Sequence, residues 1–519
     1  MTDVVEEMKS RRERIRSEMG GTEKIRRQHE RGHLTIRERI ERVLDEGSFF
    51  EVGTFSHSER HEVANISPGD GKVSGFGAID GRPVSIAGDD VTVFHGSSSF
   101  VGHKKTHKAF QLAMDNGHPL VYLGETGGAR LPDTLGSEGF TRIGPSLETG
   151  RRQRRFPMVT AILGDSFGGS SFESAFSDVV IQLKGTCLAV SSPRVIEIAT
   201  GEIVTMENLG DVQVHLRKTG QIDLAAETED HAFSLIREVL SYLPQNSWSK
   251  PERTPSQRTD EPDSALYDLV PSQRNRAYDM RRVIGRLVDQ KADGTGPAFL
   301  ELKPEFGRPL ITGLARIGGQ SVGILASNPM FSAGALDPDS CDKGTSFICL
   351  CDSFNIPLVY LQDVPGFIVG RQAEHDRLLH KAIMFVEALS LAEVPKVTVV
   401  MRKAFGLAYY ALAGNGMGGD FVFAWPGAEI SFMDPGVGVN VAYAAKLRDA
   451  EDPAAERARL VEEWSKDTDP YGAAGIMNLD EVIDPADTRN VLIRALEETD
   501  RPAPARGYRK PLASWPTCF

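Results

Sequence analysis

The chain is 519 residues long, 40% hydrophobic, 25% charged and 8% aromatic, with a formal net charge of −13. That length exceeds a single core and points to two or more domains, while the acidic balance excludes broad nucleic-acid binding but not a local basic patch for a small anion. No apolar run approaches the roughly 20 residues of a membrane span, and the N-terminus MTDVVEEMKSRRERIRSEM lacks the apolar core of a secretory signal and is too acidic for an organellar transit peptide, so a soluble cytoplasmic protein, not bound to membranes, is expected.

Residues 1–45, rich in Arg and Glu, read as a charged helical arm. A first domain is expected over 46–245. It opens with a β-hairpin about IDGRP (79–83), then a helix at 104–116 and a continuously apolar strand, PLVYL (119–123), of the kind buried on both faces. A glycine loop GETGGAR (124–130) leads to a second such strand, PMVTAIL (157–163), and a turn into a small-residue helix, GDSFGGSSF (164–172). The polar stretch NSWSKPERTPSQRTDEPDS (246–264) opens a linker placed at 246–270. A second domain, 271–519, then repeats the grammar: a hairpin about IGGQS (317–321), a helix at 341–354, PLVYL again (357–361), QDVPGFIVG (362–370), PKVTVVM (395–401) and RKAFGLAYY (402–410).

The repetition keeps register. Gly75, Ile79, Gly81 and Val84 reappear 238 residues on as Gly313, Ile317, Gly319 and Val322, Gly128 as Gly366 and Gly168 as Gly406. Beyond that the offset is 242, pairing Asp178 with Asp420 and Pro193 with Pro435, so four residues are inserted in between. This is a tandem duplication of two α/β units built from βαβ elements with parallel strands. Five cysteines (187, 341, 349, 351, 518) suit a reducing compartment. Cys341, Cys349 and Cys351 lack the paired spacing of a zinc site and read as small buried hydrophobes on a helix; no metal is expected.

Ligands of parallel α/β units gather where strands end and helices begin, because free N–H groups and the positive end of the helix dipole lie there. Both units place glycine turns at those points, which let a ligand approach the backbone closely. Two motif matches need separate treatment. GNGMGG (414–419) follows a helical stretch and fails the strand-to-helix context of a dinucleotide site. GDSFG (164–168) fits a nucleophile elbow in the right context and makes a serine hydrolase with Ser166 as nucleophile a competing reading. Against it, the second unit keeps the turn but has Ala404 at the equivalent position.

RQHERGHLTIRERIERVLDEGSFFEVG (27–53), GDGKVSGFGAIDGRPV (69–84), GETGGAR, YDMRRVI (278–284), DVPGF (363–367), RKAFG (402–406) and AWPGAEISFMDP (424–435) together resemble the carboxyltransferase (β) subunit of biotin-dependent acyl-CoA carboxylases of the propionyl-CoA carboxylase kind, in the crotonase superfamily. The resemblance covers nearly the whole chain. It implies two fused crotonase-like domains, an acyl-CoA site in the first and a carboxybiotin site in the second, worked between copies in a homohexamer arranged as a trimer of dimers. Carboxyl transfer from biotin to an acyl-CoA α-carbon develops negative charge on two oxygens, and each needs preorganised donors. By position, the resemblance implies Gly168 and Gly169 as donors to the thioester, and Leu407 and Ala408 as donors on the biotin side. Gly127, Gly128 and Ala129 would line the CoA channel, with Arg130 either a phosphate ligand or a structural partner. Pro365, Gly366, Phe367 and Gly406 would shape the biotin site.

The chain departs from the family at Leu407, where a glycine is usual, and at Tyr410, where an Asp is usual in propionyl- and acetyl-type subunits, so propionyl-CoA does not transfer as substrate. Ser170 and Ser171 replace an apolar stretch, making the acyl pocket more polar, as would suit a hydroxylated or carboxylated acyl group. No biotinylation segment and no ATP-binding domain are evident, so biotin is expected on a separate protein, with a biotin carboxylase and biotin carboxyl carrier subunit as partners. The same half-reaction serves biotin-dependent decarboxylases and transcarboxylases, and a non-catalytic scaffold is a further alternative resting on Leu407 and Tyr410.

Overall fold

The computed structural model describes residues 1–144, 147–255 and 261–515. The chain divides into two compact units, Met1–Lys250 with Ala505–Gly507, and Pro251–Pro504 with residues 508–515. The division falls inside the linker expected over 246–270, of which residues 256–260 lie outside the described residues, as does Cys518.

The arm of the first unit is three helices, Thr2–Glu18, Thr22–Glu30 and Ile36–Val43. The first buries no residue. The third departs from the expected charged arm: Ile36, Arg39, Ile40 and Val43 form a buried stripe, entered through a capping box between Thr35 and Glu38. The strands follow as β1 (Phe50–Val52), β2 (Lys72–Ile79), β3 (Arg82–Asp89), β4 (Leu120–Thr126), β5 (Met158–Phe167), β6 (Val179–Leu183), β7 (Leu188–Ala189) and β8 (Leu224–Ala226). They form one sheet in the order β1-β2-β3-β4-β5-β6-β8, with β7 added beside β5. β1, β2 and β3 pair antiparallel and the others parallel. Asp80 and Gly81, at φ 50° and 75°, close the β2–β3 hairpin with the left-handed pair that a two-residue turn requires.

The second unit has β9 (Phe299–Leu302), β10 (Leu310–Ile317), β11 (Gln320–Ser327), β12 (Leu358–Val364), β13 (Lys396–Phe405), β14 (Phe421–Ala424), β15 (Glu429–Ser431) and β16 (Glu481–Val482). Its order, β16-β14-β13-β12-β11-β10-β9 with β15 beside β13, is the first sheet over again. β2 to β5 and their counterparts β10 to β13 share boundaries 238 residues apart, and pairing slips at the same place, Gly124/Thr126 and Gln362/Val364. The offset changes where helix Gly169–Phe176 corresponds to the shorter Leu407–Ala411. There GNGMGG is a loop folded back on Tyr409: Gly414 N–H donates to its carbonyl (3.0 Å) and Asn415 N–H to its hydroxyl (2.9 Å).

A buried lysine recurs too. Lys105, on helix Phe100–Asn116, donates to the Lys72 carbonyl (2.6 Å); Lys343, on helix Pro338–Ser353, donates to those of Leu310 (2.8 Å) and Phe306 (3.0 Å). Lys72 and Leu310 each open the long strand of a hairpin. Burial pushes Lys105 down to about 8 and Lys343 down to about 7. Cys341, Cys349 and Cys351 are wholly buried on the second of these helices, and burial raises the Cys341 and Cys351 thiols. Among the described residues no cluster of His, Cys, Asp and Glu is arranged to hold a metal, and no helix is long and apolar enough to cross a membrane.

Candidate functional site

In the first unit β4 ends at Thr126, and the following glycines are threaded past the segment before helix Phe100–Asn116. Gly127 N–H donates to the His95 carbonyl (2.9 Å), Ser98 N–H to that of Gly128 (2.8 Å), and Arg130 N–H to that of Ser98 (2.9 Å). This parallel bridge turns the Ala129 N–H away, without an acceptor among the described residues. β5 ends in Gly168, at φ 66°, a conformation glycine adopts without strain. Helix Gly169–Phe176 follows at once, and the N–H groups of Gly169, Ser170 and Ser171 have no acceptor among the described residues, as expected of a first helical turn. The two turns meet: a Cβ on Gly168 would stand 3.6 Å from the Gly128 Cα, and one on Gly169 would lie 2.7 Å from Ser98 Oγ.

The second unit repeats this. Leu336 N–H donates to the Gly366 carbonyl (3.1 Å) and Ile368 N–H to that of Leu336 (2.9 Å), leaving the Phe367 N–H open. Gly406 bends at φ 61°, and Leu407 and Ala408 open the next helix with unmatched N–H groups. A Cβ at Gly406 would come within 3.1 Å of the Phe432 carbonyl. Pro365 and Gly366 shape the approach to Phe367, and Leu407 and Tyr410 are each 45% exposed at the mouth, the Tyr410 ring edge-on to Tyr409 at 5.0 Å.

Three expectations need correction. The Gly168 N–H is committed to the Val190 carbonyl at 3.2 Å, as Gly406 is to Ser431 at 3.0 Å. Each of these glycines supplies the bend, and the counterparts of Leu407 and Ala408 are Gly169 and Ser170. Arg130 is 5% exposed, pairs with Asp70 Oδ1 (2.6 Å) and its carbonyl (3.3 Å), and lies 4.9 Å from the Phe94 ring, so the structural alternative holds. Ser166 is fully buried in β5, two residues before the bend, its hydroxyl donates to the Gly164 carbonyl (3.3 Å), and no base faces it among the described residues, which argues against the hydrolase reading. Of the serines anticipated in the pocket, Ser171 Oγ donates to the Gly168 carbonyl (2.7 Å) and steadies the turn, whereas the buried Ser170 Oγ has no partner.

Buried acids brace both loops from behind. Glu125 receives Arg39 of the third arm helix (2.5 Å), which also holds Glu229 (2.6 Å); its counterpart Asp363 receives Arg402 (2.8 Å) and the Lys403 N–H (3.2 Å). The first unit also carries a groove of about 1,000 Å3 between the first arm helix and the core, where Arg11, Arg14 and Lys24 face Phe55, His57 and Phe94. Phe94 precedes His95, whose carbonyl holds the glycine loop. The braces and this groove escaped the sequence reading, since their members lie far apart in the chain.

Two α/β units thus each present open backbone N–H groups across a glycine turn. Residues 27–510 match the carboxyl transferase domain, and the chain belongs to that family. It is 37% identical over 508 residues to the propionyl-CoA carboxylase carboxyltransferase subunit of Haloferax mediterranei, covering 96% of each chain. Identity to the methylmalonyl-CoA carboxyltransferase 12S subunit of Propionibacterium freudenreichii subsp. shermanii is 36% over 505 residues, 96% of this chain and 94% of that one. The methylmalonyl-CoA decarboxylase subunit alpha of Veillonella parvula is 36% identical over 489 residues, 92% of each. The crystal structure of transcarboxylase 12S, described as a hexamer with methylmalonyl-coenzyme A bound, superposes with a TM-score of 0.88 at 36% identity and 98% coverage of both chains.

Proposed function

We propose that this chain is the carboxyltransferase component of a biotin-dependent acyl-CoA carboxylase, and that it moves a carboxyl group between biotin, carried on a separate protein, and the α-carbon of an acyl-CoA. The observation that carries this reading is the recurrence of one arrangement in both units: a loop N–H (Ala129 or Phe367) opposite the first N–H groups of a helix (Gly169 and Ser170, or Leu407 and Ala408). A pair of this kind stabilises one oxyanion, and removing a single donor from such a site lowers turnover about 10²–10³-fold.

The first unit takes the thioester. The groove by the arm, lined by Arg11, Arg14 and Lys24 together with Glu7 and Glu18, has room for a CoA moiety, with the three cations to meet its phosphates and Phe94 an aromatic residue beside them. The Ala129, Gly169 and Ser170 N–H groups would hold the thioester oxygen as the α-carbon gains negative charge. In the second unit, Pro365, Gly366 and Phe367 with Leu407 and Ala408 would hold the biotin ring system, and the exposed mouth at Leu407 and Tyr410 admits a bulky group. Carboxybiotin supplies the carboxyl group and, once it is released, the base for the α-proton. Among the chain's groups only backbone donors are needed. The partners proposed are a biotin carboxylase and a biotin carboxyl carrier, the assembly a homohexamer, and the compartment the cytoplasm. Direction follows from the partner, because carboxylase, transcarboxylase and decarboxylase components all share this degree of identity with the chain.

The deciding experiment is decarboxylation of malonyl- and methylmalonyl-CoA by the purified chain, with and without free biotin. Biotin-dependent turnover that is lost in Gly168→Val and Gly406→Val supports the proposal. A folded chain that turns over neither ester, even with a biotinylated carrier present, refutes it.

A further inference from the structure

Beneath the second turn of helix Gly169–Phe176 lies a small cavity of about 10 Å3, enough for one water-sized group. Its wall is mixed: Ala87, Phe110 and Leu120 supply an apolar side, while His103, Thr106 and His107 of helix Phe100–Asn116, Tyr122 of β4, Thr149 and Glu173 bring polar groups to it. Tyr122 and Gly124 lie on one face of β4, and Ser170 packs over Gly124, its Cβ 3.1 Å from where a Gly124 Cβ would be. The cavity therefore lies about one helical turn beyond Gly169 and Ser170, along the same face of β4.

The other acid of this region, Asp89, is fully engaged by Lys72, by the Tyr122 hydroxyl (2.9 Å) and by the Glu125 N–H (3.0 Å). The half-buried Glu173 carboxyl makes no hydrogen bond among the described residues, and the buried Ser170 hydroxyl has none either. Burial, and then the charge of Asp89, push Glu173 up to about 7 against the opposing pull of Lys72, and burial lowers His103. Below pH 7 the Glu173 carboxyl is mostly protonated and can donate a hydrogen bond.

The second unit is an internal control. On the same framework it has Cys341 for His103, Thr345 for His107, Ala408 for Ser170 and Ala411 for Glu173. The fold does not demand the polar set, which occurs only in the unit assigned to the acyl-CoA.

Building on the carboxyltransferase reading above, we propose that Glu173 and the Ser170 hydroxyl select a short acyl-CoA bearing a hydroxyl group close to the α-carbon over plain alkyl acyl groups such as propionyl. The size of the cavity limits the chain to a few atoms. The charge of Asp89 beside Glu173 disfavours a carboxylate there. A site built to hydrogen-bond a substrate hydroxyl rejects the analogue that lacks it, because its own buried groups are then left unpaired.

The test is the binding of glycolyl-CoA and propionyl-CoA to the full chain by calorimetry, alongside biotin-dependent decarboxylation of hydroxymalonyl-CoA and methylmalonyl-CoA. The expected result is glycolyl-CoA bound at least tenfold more tightly, a preference retained in Glu173→Gln and lost in Glu173→Leu. Equal or tighter binding of propionyl-CoA overturns the inference, as does a preference unchanged in a folded Glu173→Leu. The two readings fail separately: a glycolyl preference without any biotin-dependent decarboxylation sinks the carboxyltransferase reading but leaves the pocket standing, and decarboxylation with no hydroxyacyl preference does the reverse. Failure to bind either ester overturns both.

Discussion

Gly406 and Leu407 divide one task, as Gly168 and Gly169 do in the first unit. The glycine holds a backbone conformation at φ 61°, and the leucine lends an N–H that does not depend on its side chain. Leu407→Gly should therefore keep free-biotin-dependent turnover within a few-fold, whereas Gly406→Val, strained in φ and pressed against the Phe432 carbonyl, should lower it about 100-fold or more; steady-state rates on the two purified variants check this. Lys343 makes a prediction about pH. Its folded value of about 7 lies below that of an unfolded lysine near 10.5, so between these limits the unfolded chain holds a proton that the folded chain lacks. Its contribution to stability thus rises with pH across that window, by up to about 1.4 kcal/mol per unit, and is least below pH 7, where the buried amine must carry charge. Urea unfolding at pH 6.5 and 8.5 should show this gain, and Lys343→Met should shrink it. The donors themselves were only half legible. The positive-φ glycines announce themselves in sequence, but the commitment of Gly168 to Val190 depends on how β7 docks beside β5, and the Arg130–Asp70 pair joins residues far apart in the chain.

Among the elements, the strands were the most legible, because burial on both faces turns PLVYL and its partners into continuous apolar runs. Helix Phe100–Asn116 begins before the expected residue 104, at the Ser99 cap, whose hydroxyl accepts from the Gly102 N–H. The third arm helix was the least legible, since its decisive residue is an arginine. Arg39 is 1% exposed and joins Glu125, at the end of β4, to Glu229, at the start of helix Glu229–Tyr242. Removing it takes from Glu125 and Glu229 the guanidinium they share, leaving Glu229 with His33 as its remaining ion-pair partner among the described residues, so Arg39→Met should destabilise the chain by about 3 kcal/mol. Because Glu125 immediately precedes the Thr126–Ala129 loop, the same variant should lose turnover at temperatures where it is still folded. Circular dichroism melts paired with rates at low temperature separate the two effects.

For the whole molecule, duplication places one donor set in each unit, so a chain dead in one set still carries the other. Co-expressing Gly168→Val with Gly406→Val should restore up to about a quarter of wild-type turnover if working sites pair unlike units from two copies, since half of randomly formed dimers are mixed and each then has one intact site. No recovery, with mixed assemblies demonstrated by two affinity tags, would count against sites shared between copies. The duplication itself was readable at the level of single residues, because a 238-residue echo survives in glycines that turns cannot replace. The polarity of the first acyl pocket was read only through Ser170 and Ser171; Glu173 went unremarked, because a lone acid on a small-residue helix looks like any solvated charge until its burial is known. Open main-chain N–H groups have a consequence for how such enzymes diversify. On the proposed mechanism the reacting machinery is spelled by no codon except those of the bending glycines, so the side chains around it, Ser170, Glu173, Leu407 and Tyr410 among them, could drift under selection for a new substrate while the chemistry stays intact.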